Sequence, residues 1–348
     1  MPDELLADMG LNDVNLSFVS NYSLPFLDLR VTSNCRRVLR YLDFYLEPFR
    51  SLSLESLSTF YITLHVDEPE LSSRVKRIFS KCDDTWSTRV CYSPTSSRVF
   101  YEDGIYYFKA NEHVFGVIQP KKRLCLVIFN RELVFYQRAP LFRVFIFALT
   151  EILTSSNCVL LHAASLVHEN GGLCVVGASG AGKTTLLLSL LRTGRYKFLG
   201  DEWCLVKLTN EGWRIGSLTP KVRVPLLSLQ YFQELGGFAH RIAYLSERKM
   251  YVDPRKIYGD CFRTCCSPMC ILFLEKTEGL FPGIEPIGSF DAINKVVENV
   301  FTPLAHEGFL QNFHIASELI HQTKTFRFVR SPVLEESIRL VDSIVGNL

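Results

Sequence analysis

The chain has 348 residues, 47% of them hydrophobic and 21% charged, proportions that exclude a disordered or low-complexity architecture and predict folding throughout. That length exceeds one ordinary core and predicts two domains. Lysine plus arginine exceeds aspartate plus glutamate by only two, which gives no field for nucleic acid or an anionic membrane as the main partner.

Met1 to Leu16 carries Asp3, Glu4, Asp8 and Asp13 where a secretory signal needs a cationic start and an apolar core. Export is therefore not expected, a cytoplasmic location is, and most of the eleven cysteines are read as reduced, buried thiols. From Arg37 to Phe49, Val38, Leu39, Leu42, Tyr45 and Leu46 recur at helical spacing, and Pro48 marks the end. Val99-Phe100-Tyr101 and Ile105-Tyr106-Tyr107-Phe108 flank Glu102-Asp103-Gly104, which predicts a hairpin because glycine accepts the positive φ of the turn. Val114 to Ile118 and Leu124 to Phe129 continue the strands across Gln119-Pro120-Lys121-Lys122-Arg123. Leu141 to Leu153, interrupted by Arg143 and Glu151, falls short of the roughly 20 residues of a membrane span and predicts a buried helix. Residues 1–150 thus read as a smaller, strand-rich α+β domain, with acceptor recognition as its expected contribution.

From Val159 the pattern becomes strand, loop and helix, and residues 151–348 read as an α/β domain, a mixed sheet flanked by helices. Val159 to Ser165 and Leu173 to Val176 are predicted strands, and a helix is predicted through Leu191. Tyr196 to Leu199 and Trp203 to Leu208 are further strands, Met269 to Glu275 is a buried one, and Asp291 to Phe301 and Val333 to Val345 are amphipathic helices. Cys261, Cys265, Cys266 and Cys270 lack the paired CxxC spacing of structural zinc sites and run into the apolar strand.

Gly177-Ala178-Ser179-Gly180-Ala181-Gly182-Lys183-Thr184 matches G-x-x-x-x-G-K-[ST] at every fixed position, between an apolar strand and an apolar helix. The four fixed positions alone would occur by chance in about one chain in a hundred of this length. Glycines at 177, 180 and 182 let successive backbone N–H groups, including those of Ala178, Ser179 and Ala181, converge on phosphate oxygens at a helix N-terminus. Lys183 supplies charge for the β- and γ-phosphates and the Thr184 hydroxyl a ligand for Mg²⁺, while Thr185 is counted with the nucleotide-binding positions and also has a packing reading. A carboxylate for the metal is expected nearby, and Asp201, followed by Glu202, stands at the end of the next apolar strand. The loop predicts a nucleoside triphosphate with Mg²⁺; ATP is the expected donor, although no motif in the sequence reads adenine against guanine.

Leu160-Leu161-His162-Ala163-Ala164-Ser165, Gly177 to Thr185 and Leu199-Gly200-Asp201-Glu202 follow one another in an order that resembles the C-terminal domain of HPr kinase/phosphorylase and its relatives. These include the kinases found beside peptide-maturation genes and belong to the phosphoenolpyruvate carboxykinase-like fold group. The resemblance covers Val159 to Leu208 well, with weaker echoes through Pro220-Lys221, Lys249 to Pro254 and Met269 to Lys276. It implies Asp201 as the base toward an acceptor hydroxyl, Glu202 with Thr184 and Asp201 at the metal, and His162 near the phosphates, where it orients the base or exchanges a proton. Glu202 stands where the family usually has a second aspartate, and the arginine-rich C-terminal signature of true HPr kinases is missing, which counts against HPr as the substrate. Lys221, Arg223, Arg248, Lys249 and Arg255 are candidate contacts for nucleotide or acceptor, with ordinary solvated charge as the competing reading. Relatives are often oligomers, so a homo-oligomer is expected.

Two function classes stay open on the sequence. One is a kinase moving the γ-phosphoryl of ATP to a hydroxyl of a peptide, a protein serine or a small metabolite, with the reverse phosphorylase direction sharing the same site. The other is a nucleotide-sensing module that holds ATP without phosphorylating an acceptor.

Overall fold

The computed structural model describes residues 16–54, 59–67, 69–82, 87–89, 96–111, 114–130, 138–153, 156–238, 249–276, 281–301 and 306–348. It is a mixed α/β structure in two compact units, one of Met1–Asn157 with Thr302–Gln311, the other of Cys158–Phe301 with Asn312–Leu348. Among the described residues no helix is long and apolar enough to cross a membrane.

The first unit is built on a sheet of β1 (Phe18–Leu24), β2 (Leu27–Ser33), β3 (Arg50–Ser51), β4 (Phe60–Asp67), β5 (Ser87–Arg89), β6 (Ser96–Glu102), β7 (Ile105–Asn111), β8 (Val114–Gln119) and β9 (Leu124–Asn130). Their order is β3-β1-β2-β4-β9-β8-β7-β6-β5, with β2–β4 and β4–β9 parallel. This is more sheet than the four strands read from the sequence. The predicted hairpin tightens to a two-residue turn in which Asp103 (φ 51) and Gly104 (φ 82) are both left-handed, the twist that suits antiparallel strands. Helix α1 (Arg36–Leu46) buries Val38, Leu39, Leu42, Tyr45 and Leu46, the stripe read from the sequence. Helix α2 (Pro69–Ile78) sends Val75 into a cluster with Phe115, Val117, Leu126 and Ile128. The apolar helix α3 (Arg138–Leu153) packs on β9, β4 and β8, and its Phe142 ring stacks on Tyr45 with centroids 4.1 Å apart.

The second unit holds β10 (Cys158–Leu161), β11 (Ala163–His168), β12 (Gly171–Val176), β13 (Lys197–Gly200), β14 (Cys204–Thr209), β15 (Gly212–Ser217), β16 (Val222–Pro225), β17 (Lys249–Val252), β18 (Cys265–Cys266), β19 (Pro268–Glu275), β20 (Gly283–Pro286) and β21 (Lys324–Val329). A six-stranded sheet runs β13-β11-β12-β19-β21-β20, a four-stranded sheet runs β10-β14-β15-β18, and β16 pairs with β17. Its helices are α4 (Lys183–Arg192), α5 (Arg255–Tyr258), α6 (Ser289–Val297), α7 (His306–Gln322) and α8 (Leu334–Val345), with α7 contributing to this unit from Asn312 onward.

Alternation along the central strands divides the core, because successive side chains on a strand point to opposite faces. Leu173 and Val175 of β12 and Leu272 and Leu274 of β19 share a cluster with Leu187, Leu190 and Leu191 of α4 and Val341 of α8. Cys174, Val176, Ile271 and Phe273 face the other way, onto Ala292 and Val296 of α6 and Ile315 and Leu319 of α7. β12–β19 and β19–β21 are parallel, so Gly177, the end of β19 and Arg330 emerge together at the carboxyl ends of these strands, the end at which ligands of open α/β sheets bind.

The predicted strand Val159 to Ser165 is two strands in different sheets, broken at His162. The His162 N–H donates to the carbonyl of Asn299 at 2.7 Å, and the Phe301 N–H donates to the carbonyl of Leu160 at 3.0 Å. A segment from far along the chain thus takes over backbone bonds at the break.

Candidate active site

The glycine loop leaves β12 over β19 so closely that a Cβ at Gly177 would stand 2.4 Å from the Leu274 carbonyl oxygen. Gly180 and Gly182 have φ of 81° and 105°, a region that side chains with a Cβ occupy at a cost. Gly182 precedes α4 without any side-chain cap, so the first-turn amides keep the partial positive charge that attracts an anion. Thr185 has its carbonyl bonded by the Ser189 hydroxyl at 2.8 Å.

Lys183 is buried, and its ammonium donates to the carbonyls of Gly177 at 2.6 Å and Ala178 at 3.3 Å, which folds the side chain back along its own loop. Burial lowers the Lys183 pKa, while the charges of Asp201 and Glu202 act to raise it. One residue on, the Thr184 hydroxyl donates to the two oxygens of Asp201 at 3.2 and 3.3 Å. Asp201, 2% exposed at the end of β13, also accepts the Arg223 backbone N–H at 3.0 Å. Its pKa is raised to about 6, first by burial and then by the neighbouring charge of Glu202.

Glu202 sits at φ 69, a left-handed conformation rare for a residue with a side chain. That kink turns its carboxylate toward Arg223, which donates at 2.7 Å, and its carbonyl toward His162, whose Nδ1 lies 2.7 Å away. A carbonyl only accepts, so Nδ1 carries the proton and Nε2 the lone pair. Burial, then the charge of Lys183, lowers the His162 pKa to about 4. Its ring lies 5.1 Å from that of Trp203, which in turn lies 5.6 Å from Phe301.

Lys183, Thr184, Asp201, Glu202 and His162 therefore form one cluster, with Arg223 as the partner of both acids. Lys249 is near enough to influence both Lys183 and His162. Lys221 and Arg255 instead bind the buried Asp253, at 2.8 and 2.7 Å. Arg248 lies outside the described residues. Trp203 and Arg330 escaped sequence reasoning. Trp203 directly follows the acid pair and reads as an ordinary strand residue, and no local signal marks Arg330, 147 residues after Lys183.

No group of three or more His, Cys, Asp or Glu side chains that could hold a metal occurs among the described residues. Cys261 and Cys270 are buried, Cys265 is exposed and Cys266 lies between. Thr184 and Asp201 offer converging oxygens, a donor set that fits Mg²⁺, which takes few protein ligands and completes its shell with phosphate and water. Glu202 fits less well, because Arg223 already holds its carboxylate. A cavity of about 530 Å³ lined by Glu275, Glu285, Asp291, Lys295, Glu298 and Arg327 contains no residue of the glycine loop.

No protein-family model matches the chain, and no curated protein matches it. Among solved structures, the Hpr(Ser) kinase/phosphatase from Coxiella burnetii is similar at 14% identity over 54% of this chain and 94% of that one, with a TM-score of 0.31. A likeness that slight bears no weight on activity.

Proposed function

We propose that the chain is a kinase that transfers the γ-phosphoryl group of ATP to a hydroxyl, on a peptide, a protein serine or a small metabolite. The observation that carries this reading is the convergence of Thr184 and Asp201 beside Lys183 at the mouth of an uncapped glycine loop. The loop amides and Lys183 would hold the β- and γ-phosphates, and Lys183 would leave its two carbonyl partners to do so. Mg²⁺, held by Thr184 and Asp201, would supply charge neutralisation on the phosphates. In the transfer the acceptor oxygen forms the new bond to phosphorus, the bond to ADP breaks with its electron pair left on the ADP oxygen, and the acceptor proton passes to Asp201. Burial and the charge of Glu202 raise the Asp201 pKa in the nucleotide-free site, a direction that strengthens it as a proton acceptor. His162, neutral and fixed through Nδ1, would present Nε2 as an acceptor and hold the Glu202 carbonyl in place.

The test incubates the purified chain with γ-labelled ATP, Mg²⁺ and cell extract. Label should appear on an acceptor, be lost with Lys183→Ala and Asp201→Asn, and Mg·ATP affinity should fall badly only with the former. Tight triphosphate binding with neither hydrolysis nor a labelled acceptor would replace this reading with the nucleotide-sensing module. No Mg-dependent affinity for any triphosphate would remove both.

A further inference from the structure

A Cβ placed on Gly182 would stand 2.9 Å from Nε and 3.4 Å from Cζ of Arg330. The guanidinium thus occupies the space that a side chain at the last loop glycine would need, next to Lys183. Arg330 directly follows β21, two strands from β12 in the same sheet. The next residue, Ser331, is buried and anchored to α8: its N–H donates to the Ser337 hydroxyl at 2.9 Å, and its own hydroxyl accepts from the Val333 N–H at 3.1 Å. Those bonds fix the backbone that aims Arg330. The guanidinium itself makes no hydrogen bond or ion pair with any described residue, unlike Arg223, which is matched to Glu202, and Arg255, which is matched to Asp253.

A permanently charged planar fork, half-buried against an anion-attracting loop and without a carboxylate partner among the described residues, is suited to bidentate phosphate contact. We propose that Arg330 is a phosphate-contacting residue that this chain supplies to its own glycine loop, binding the γ-phosphoryl group and stabilising the charge that spreads over it during transfer. The inference rests on the nucleotide reading above. A purely structural arginine would hold the loop by bonds to its carbonyls, and Arg330 makes none. A γ-phosphate contact separates triphosphate from diphosphate binding, whereas a loop-shaping role treats the two alike.

The experiment measures the affinity of the wild-type chain, Arg330→Gln and Arg330→Lys for a Mg-bound non-hydrolysable ATP analogue and for Mg·ADP by calorimetry, with phosphoryl transfer from γ-labelled ATP alongside. Arg330→Gln should weaken the triphosphate analogue about tenfold while leaving ADP within about twofold, and should slow transfer about a hundredfold or more. Arg330→Lys, a charge without the fork, should recover only part of both. Equal weakening of both nucleotides, or wild-type behaviour in Arg330→Gln, would overturn the assignment while the nucleotide reading stands. Absence of triphosphate binding in the wild-type chain would overturn both, and so tells the two failures apart.

Discussion

The Thr184 hydroxyl lies between the two oxygens of Asp201, at 3.2 and 3.3 Å, and so ties the first turn of α4 to the end of β13. That bond favours the charged carboxylate, as does the Arg223 backbone N–H, yet burial and Glu202 prevail and the Asp201 pKa stands at about 6. The folded state therefore prefers protonated Asp201 more than the unfolded chain does. Its stabilising contribution is full below the ordinary value of 3.8 and is lost as pH rises through about 6. At pH 7.5 the ionised, buried group costs on the order of 3 kcal/mol. Asp201→Asn should accordingly raise the unfolding free energy in urea by about 1–3 kcal/mol at pH 7.5 and flatten its slope between about pH 4 and 6. Lower stability in the variant would mean that the carboxylate is satisfied in a way these bonds do not account for.

The second contribution to that raised pKa is the charge of Glu202, and it can be removed alone. Carbon-13 NMR of the side-chain carboxyls of the nucleotide-free protein should show Asp201 titrating near 6, and Glu202→Gln should move the midpoint downward. Burial is the larger cause, so the midpoint should stay above the ordinary 3.8. A midpoint unmoved by the substitution would show the two carboxylates to be electrostatically independent.

Much of the site was legible because its parts are local. The glycine loop, Lys183 and Thr184 are contiguous, and Asp201 ends the next apolar strand; in the first unit, away from the site's residues in sequence, the Asp103-Gly104 turn likewise carries its own backbone signature. What escaped depends on partners far along the chain. Val159 to Ser165 contains neither glycine nor proline to mark a break, and it divides at His162, where Asn299 and Phe301 take over backbone bonds. Helix α7 was missed because Phe309, Leu310 and Phe313 are exposed while Ile315, Ala316, Leu319 and Ile320 are buried. Apolar residues on both sides leave no clean stripe to read. Arg330 has nothing local to distinguish it, and only the parallel placement of β12, β19 and β21 brings it to Gly182.

His162 is expected to stay neutral across the physiological range, since burial and Lys183 lower its pKa to about 4. A depressed histidine contributes stability that is present above its ordinary 6.5 and is lost as pH falls through about 4, a change of about 3 kcal/mol over that window. His162→Gln should remove this part of the acid sensitivity. Nitrogen-15 NMR of the imidazole should show a protonated Nδ1 and an unprotonated Nε2 at pH 6, as the bond to the Glu202 carbonyl requires. A doubly protonated ring at that pH would contradict the burial that governs it.

The two left-handed glycines of the loop separate backbone strain from crowding. A Cβ on Gly180 (φ 81) meets nothing within 4 Å, whereas one on Gly182 (φ 105) meets Arg330 at 2.9 Å. Gly180→Ala should cost only the left-handed penalty, about 1–2 kcal/mol. Gly182→Ala carries the same strain and must also displace the Arg330 guanidinium, so its cost should be greater and its loss of triphosphate affinity larger. Pairing Gly182→Ala with Arg330→Gln tests the origin of the difference, because residues in contact are not additive. If the shorter, uncharged side chain relieves the crowding, the double variant should lose less stability than the sum of the two single ones. Strict additivity would mean that the alanine methyl and the arginine never compete for the same space.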